Sequence, residues 1–137
     1  MMVADTDVLI DFLAGIEPIA SRVAEEIESG LATTAVSRFE LRAGVRGVAQ
    51  DRAVTGLLDA LGVLSLDSAA ADAAAAVRRK LERDGVGIGM ADSLIAGIVL
   101  AHGATLLTRS RRHFARVEGL RLADWRAWQS DQPALAR

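Results

Sequence analysis

A chain of 137 residues, 51% hydrophobic and 25% charged with a net charge of -2, is long enough for one domain with a sizeable buried core, expected here over residues 1–137. The absence of cysteine excludes disulfides, thiolate zinc sites and cysteine nucleophiles, and fits a reducing compartment. No basic segment leads into an apolar stretch at the N-terminus and no apolar run approaches membrane-spanning length, so a soluble, cytoplasmic protein without a membrane partner is expected.

Short apolar strands alternate with helices along the chain. Val3-Ala4 reads as a strand leading into a helix over about 7–14, where Val8, Leu9, Phe12 and Leu13 recur at helical spacing. A second helix over about 17–29 ends at Gly30, a good C-terminal cap. Leu31–Thr34 reads as a strand, 37–46 and 51–61 as helices, and Val63–Leu66 as another strand. The alanine-rich stretch after Asp67 predicts a helix to Asp84-Gly85, with Asp67 as its N-cap. A helix over about 90–102 carries Leu94, Ile95, Ile98 and Val99, and Thr105–Thr108 and Leu120–Leu122 close the series as strands. This alternation implies an α/β fold: a mostly parallel central sheet of four or five strands covered by helices on both faces. Sites in such sheets form beyond the carboxyl ends of the strands, where Asp5 and Thr108 fall.

Acidic residues stand at three separated places beside apolar sequence: Asp5 in Val-Ala-Asp-Thr-Asp, Glu40 in Ser-Arg-Phe-Glu-Leu, and Asp92 in Met-Ala-Asp-Ser-Leu-Ile-Ala. Each has a plain structural reading. Asp5, Thr6 or Asp7 can cap the first helix, Ser37-Arg-Phe-Glu40 matches a capping box in which Glu40 reaches back to the Ser37 N–H, and Asp92 can decorate a helix start. At the first place capping explains one of the three polar residues Asp5, Thr6 and Asp7, not all of them. Carboxylates so placed cost stability unless a positive group meets them, and a divalent metal meets several at once. A metal-dependent hydrolase of phosphate esters is the reading that follows.

The charges are also unevenly distributed. Residues 1–40 hold eight acids against two arginines, whereas Arg109, Arg111, Arg112, Arg116, Arg121 and Arg126 face only Glu118 and Asp124 in the segment 109–126. An acidic site bordered by a basic segment suits a polyanion, although a solvated arginine-rich surface reads the same way. Gly85, Gly87 and Gly89 precede the Asp92 helix, but neither glycine-rich nucleotide-binding pattern is present. With only His102 and His113 in the chain, a histidine-based metal site is not expected, and His113 beside Phe114 reads as packing.

In combination, Ser-x-x-Glu-Leu-x-x-Gly, Ala-Asp-Ser-Leu-Ile-Ala and Leu-Leu-Thr-Arg-x-x-x-His-Phe, at separations 5, 40, 92 and about 110, resemble the PIN-domain nucleases. The nearer resemblance is to the VapC-type toxins of bacterial toxin–antitoxin pairs, and it runs from Asp5 to the closing Leu122-Ala-Asp-Trp125. It implies that Asp5, Glu40 and Asp92 are the catalytic acids and hold Mg²⁺ or Mn²⁺, with Asp5 and Asp92 as principal ligands. Thr6 would shape the site and Thr108 matches the family's threonine before the last site position. That position, commonly Asp or Asn, falls on Ser110, which adds no charge.

The implied reaction is cleavage of an RNA phosphodiester by metal-activated water, which Glu40 orients or deprotonates. Thr6, Thr108, Ser110, Arg109, Arg111 and Arg112 would contact the substrate. The resemblance further implies a small VapB-type antitoxin as partner and a homodimeric toxin. Two rivals stay open. A PIN-like module could bind RNA or protein without cutting, and Asp5-Thr-Asp7 also resembles the opening of haloacid-dehalogenase-type phosphatases, although Lys80, the sole lysine, sits in mid-helix. Metal-bound phosphodiester chemistry does not itself select RNA over DNA.

Overall fold

The apolar run Met2–Ala4 forms β1, the central strand of a five-stranded sheet, in a computed structural model that describes residues 1–123. On one side of β1 lie β2 (Ala32–Thr34) and then β3 (Gly62–Leu64); on the other lie β4 (Thr105–Leu107) and then β5 (Arg121–Ala123). The order is β3-β2-β1-β4-β5 and every pairing is parallel, with Val3 level with Ala32 on one side and Leu106 on the other. This is the expected α/β architecture. The chain leaves β1 toward β2 and returns on its far side as β4, so the crevice above β1 and β4 is a topological switch point.

Seven helices connect these strands among the described residues: α1 (Thr6–Leu13), α2 (Ile19–Ser29), α3 (Ala35–Ala43), α4 (Gly47–Asp59), α5 (Ser68–Arg83), α6 (Met90–Ala101) and α7 (Arg111–Phe114). Neighbouring strand residues point to opposite faces, and the two cores divide accordingly. Ala4 and Leu107 join Val8, Leu9, Val23, Leu41, Leu57 and Leu58 in the core beneath α1 to α4. Val3 and Leu106 join Val77, Leu81, Ile95, Val99 and Phe114 in the core beneath α5 and α6. Burial on both faces is why these strands read as apolar runs without alternation. The alanines of α5 have a packing role as well as helix propensity. At Gly97 the two helices come so close that an added Cβ would stand 2.5 Å from the Ala70 carbonyl oxygen and 2.6 Å from Ala74 Cβ.

The helix ends follow their sequence signals in most places. The Asp67 side chain accepts from the Ala70 N–H at 2.9 Å and starts α5, while Gly30, at φ 104°, ends α2 in the left-handed conformation. One expectation fails. The N-cap of α3 is Thr34, whose hydroxyl accepts from the Ser37 N–H at 3.0 Å, so Ser37 lies inside the helix and Glu40 does not close a capping box. Two hydroxyl residues three apart both offer a cap, and the end of β2 at Thr34 selects the first. Similarly, α4 starts at Gly47 rather than 51, with Gln50 reaching back to accept from the Arg46 N–H. The segment after β4 forms the short helix α7, and Trp125 and Arg126 lie outside the described residues. Among the described residues no helix is long and apolar enough to cross a membrane.

Candidate active site

Asp5 follows β1 directly, at the switch point, and is only 5% exposed. Its backbone N–H still donates to Leu107 O of β4 at 2.9 Å, which continues the ladder and fixes the residue against the end of that strand. The side chain then serves two elements. Oδ1 accepts from the Thr6 N–H at 2.8 Å as the N-cap of α1, and Oδ2 accepts from Thr108 Oγ1 at 2.7 Å. Each oxygen keeps lone pairs beyond these bonds.

Two polar chains run outward from this point. In the first, Thr6 Oγ1 lies 2.7 Å from Glu40 Oε1 and 2.8 Å from Ser37 Oγ, joining the start of α1 to the inner face of α3. In the second, Ser110 N–H donates to Thr108 Oγ1 at 2.9 Å and Ser110 Oγ donates to Asp7 Oδ2 at 3.0 Å. Asp7 Oδ1 also accepts from the Arg109 N–H at 3.3 Å. Asp92, in the first turn of α6, enters the group through its charge and through His113 Nδ1, 3.7 Å from its Oδ2.

Crowding of carboxylates has an electrostatic signature. Burial pushes the Asp5 carboxyl from its ordinary 3.8 up to about 7; the charge of Asp7 adds to this, and that of Asp92 more weakly, against the hydrogen bonds from Thr108 and the Thr6 N–H. Burial likewise raises Asp92, with the charges of Glu40 and Asp7 adding and His113 opposing. These carboxyls thus form an acidic cluster in which the charges of Asp7 and Asp92 bear on Asp5, and those of Glu40 and Asp7 on Asp92. Such a group holds its charge only with a cation or gives it up by taking protons.

The donor chemistry fits a hard divalent cation, since carboxylate oxygens suit Mg²⁺ and Mn²⁺. Among the described residues no three His, Asp or Glu side chains stand ready around one point. Mg²⁺ does not require such a cage: it commonly takes one or two carboxylates and keeps water in its other positions. Asp5 and Asp92 offer oxygens of that kind.

The structure thus brings Asp5, Thr6, Glu40, Thr108 and Ser110 into one hydrogen-bonded array and places Asp92 within reach of its charge. The arginines are arranged differently. Arg109 Nε is paired with the buried Asp11 at 2.8 Å, while Arg111 and Arg112 are exposed on α7. Four residues with a place in the site were not singled out for it by their sequence context: Asp7, Asp11, Ser37 and His113. His113 is exposed beside Asp92 and only Phe114 packs in the core. Asp7 is two residues from Asp5, which is a usable signal; nothing local marks Asp11 as the partner of Arg109.

The chain is thus an α/β protein with an all-parallel sheet and, at its switch point, a buried aspartate beside partly exposed acids. The chain belongs to the PIN domain family, whose model matches residues 2–120. Over 72 residues it is 38% identical to the tRNA(fMet)-specific endonuclease VapC of Shigella flexneri, a match spanning 53% of this chain and 54% of that protein. The enzyme of the same name from Salmonella typhimurium strain LT2 is 36% identical over an equal span. The chain spans about half the length of the curated relatives it matches. Among solved structures, the DNA-bound VapBC of Salmonella typhimurium superposes with a TM-score of 0.79 at 29% identity, covering 90% of this chain and 97% of that one. The promoter-bound VapBC2 of Rickettsia felis reaches 0.80 at 18% identity, with coverage of 90% and 98%, a likeness of fold.

Proposed function

We propose that this chain is a metal-dependent endoribonuclease of the VapC type, acting in the cytoplasm and restrained by a small VapB-type antitoxin. The observation that carries the reading is Asp5, a carboxyl buried at the switch point and coupled by charge to Asp7 and Asp92. Family membership and the names of the VapC relatives support the choice of a nuclease over other metal hydrolases. They also leave the dehalogenase-type reading without support, and Lys80, which that chemistry would need, pairs with Asp84 at the C-terminal end of α5.

In this reading Asp5 and Asp92 hold Mg²⁺ or Mn²⁺. When bound, the ion supplies Lewis acidity toward a phosphoryl oxygen and lowers the pKa of water. Thr108 fixes the rotamer of Asp5 through the 2.7 Å bond to Oδ2. Thr6, bonded to Glu40 Oε1, orients that carboxylate to accept the proton of the attacking water. The water oxygen bonds to phosphorus as the bond to the 3′-oxygen breaks, and the 3′-oxygen takes up a proton. Arg111 and Arg112 meet the RNA backbone from α7, and Arg109, half-exposed beside Asp11, flanks them. Homodimerisation belongs to the same proposal.

The relatives' names make initiator transfer RNA the first substrate to test. Incubated with protein and Mg²⁺, it should yield fragments with 5′-phosphate and 3′-hydroxyl ends. Fragments ending in 2′,3′-cyclic phosphate would show attack by the ribose hydroxyl and overturn the proposed hydrolysis. Binding of RNA without cleavage by metal-loaded protein would favour a non-cutting module.

A further inference from the structure

The least explained acid in the site is Asp7. A first-turn aspartate complements the dipole of α1 and needs no partner for that. Asp7 nevertheless receives donors from two consecutive residues of the β4–α7 turn. Ser110 Oγ donates to its Oδ2 at 3.0 Å and the Arg109 N–H to Oδ1 at 3.3 Å, while Thr108 Oγ1, whose proton goes to Asp5 Oδ2 at 2.7 Å, lies 3.4 Å from Asp7 Oδ2. Both donors are neutral. The Arg109 guanidinium is turned to Asp11 instead. Among the described residues Asp7 has no ion pair, so it is oriented by neutral donors two residues from Asp5. A tie between α1 and the turn needs only a neutral acceptor, whereas a carboxylate here adds a second negative charge beside Asp5.

We propose that Asp7 is a functional carboxylate of the metal site, held in place by Ser110, so that the pair Asp7–Ser110 gives the β4 side of the site the negative charge that the serine alone lacks. The proposal rests on the metal-dependent reading of the site given above. In it Ser110 is a positioning residue: its hydroxyl fixes Asp7 Oδ2, and its backbone N–H fixes Thr108, which in turn fixes Asp5. One turn thereby sets the rotamers of two carboxylates on either side of Thr6. The reach of this turn into the α1 N-terminus spans 101 to 103 residues of sequence.

The test is Mn²⁺ binding to the metal-stripped protein, read from the free-ion signal in electron paramagnetic resonance, with circular dichroism as the check of fold. Asp7→Asn keeps an acceptor for the turn but removes the charge, and should weaken Mn²⁺ binding by about tenfold or more while the fold is kept. The swap Asp7→Asn with Ser110→Asp returns the charge from the other side of the same hydrogen bond and should recover most of that affinity. Ser110→Ala should cost affinity in the wild-type background and nothing further in the Asp7→Asn background, since its effect passes through Asp7. Wild-type affinity in folded Asp7→Asn would reduce Asp7 to a structural tie and overturn the proposal while leaving the metal reading intact. A loss in Asp7→Asn that the swap does not recover would overturn it as well, by showing that geometry rather than charge was lost. Failure of the wild-type protein itself to bind Mn²⁺ would remove the metal reading and this proposal together.

Discussion

Replacing Asp5 by asparagine should stabilise the metal-free protein at neutral pH, and the size of the effect follows from the site. The Asp5 carboxyl moves from its ordinary 3.8 to about 7 on folding because it is buried beside Asp7 and Asp92. Below pH 3.8 it is protonated in both the folded and the unfolded chain. Between 3.8 and about 7 the folded chain keeps the proton and the unfolded chain loses it, so the folded state binds more protons and its stability falls as pH rises. Above about 7 both are ionised and the loss is complete. The span corresponds to about 4 kcal/mol. Asparagine mimics the protonated carboxyl, still accepts from the Thr6 N–H, and does not titrate. Any change in its bond with Thr108 is the same at every pH. The stability of Asp5→Asn minus that of wild type should therefore grow by about 4 kcal/mol between about pH 4 and pH 8, measured by urea unfolding in chelator. Other titrating groups are common to both proteins and largely cancel in the difference. Saturating Mg²⁺ binds the ionised form and should shrink the gap at the alkaline end of that range. A difference that stays constant across this pH range, or one that reverses sign, would refute the argument that Asp5 is held in an uncompensated acidic group.

Gly97→Ala should destabilise the fold by about 2–3 kcal/mol in urea unfolding, because its Cβ meets the backbone of α5 at Ala70 and Ala74, which outweighs the gain in helix propensity. An unchanged midpoint would show that α5 and α6 separate at no cost. Thr6→Val removes the hydroxyl bonded to Glu40 and Ser37; cleavage should fall by about tenfold to a hundredfold while the melting temperature changes little. Full activity in that variant would free Glu40 from dependence on Thr6. Arg111→Ala together with Arg112→Ala should weaken RNA binding and lower the salt-dependence slope by about 0.7 for each phosphate that is no longer neutralised. A slope equal to that of wild type would place the RNA elsewhere.

How much of this was legible in the sequence depended on the range of the interaction. Gly30 and Asp67 act within one turn of themselves, and their caps could be read directly. The placement of Asp5 followed from a strand ending where a helix begins, and the parallel sheet from the alternation of elements. The Thr34 cap was obscured by Ser37, which offers the same hydroxyl three residues later, and only the end of β2 decides between them. Glu40 shows why a local motif can mislead: its position after Ser37 suggests a capping box, but its partner is Thr6, 34 residues earlier. The Asp7–Ser110 and Arg109–Asp11 pairings close across the junction of β1 and β4, and no local pattern encodes them. What sequence did carry was composition of the site, an excess of acids beside short apolar strands; the fold supplies which of them share a charge.

The central claim, that this acidic group is the metal site of a ribonuclease, is tested most directly by mapping new RNA ends. Total cellular RNA would be incubated with antitoxin-free protein in Mg²⁺ or Mn²⁺, in chelator, and with Asp92→Asn in place of wild type. Discrete new ends that require both the metal and Asp92 are the predicted result, and their positions would name the target. Ends that persist in chelator or with folded Asp92→Asn, or no new ends from folded, metal-loaded wild type, would contradict the account.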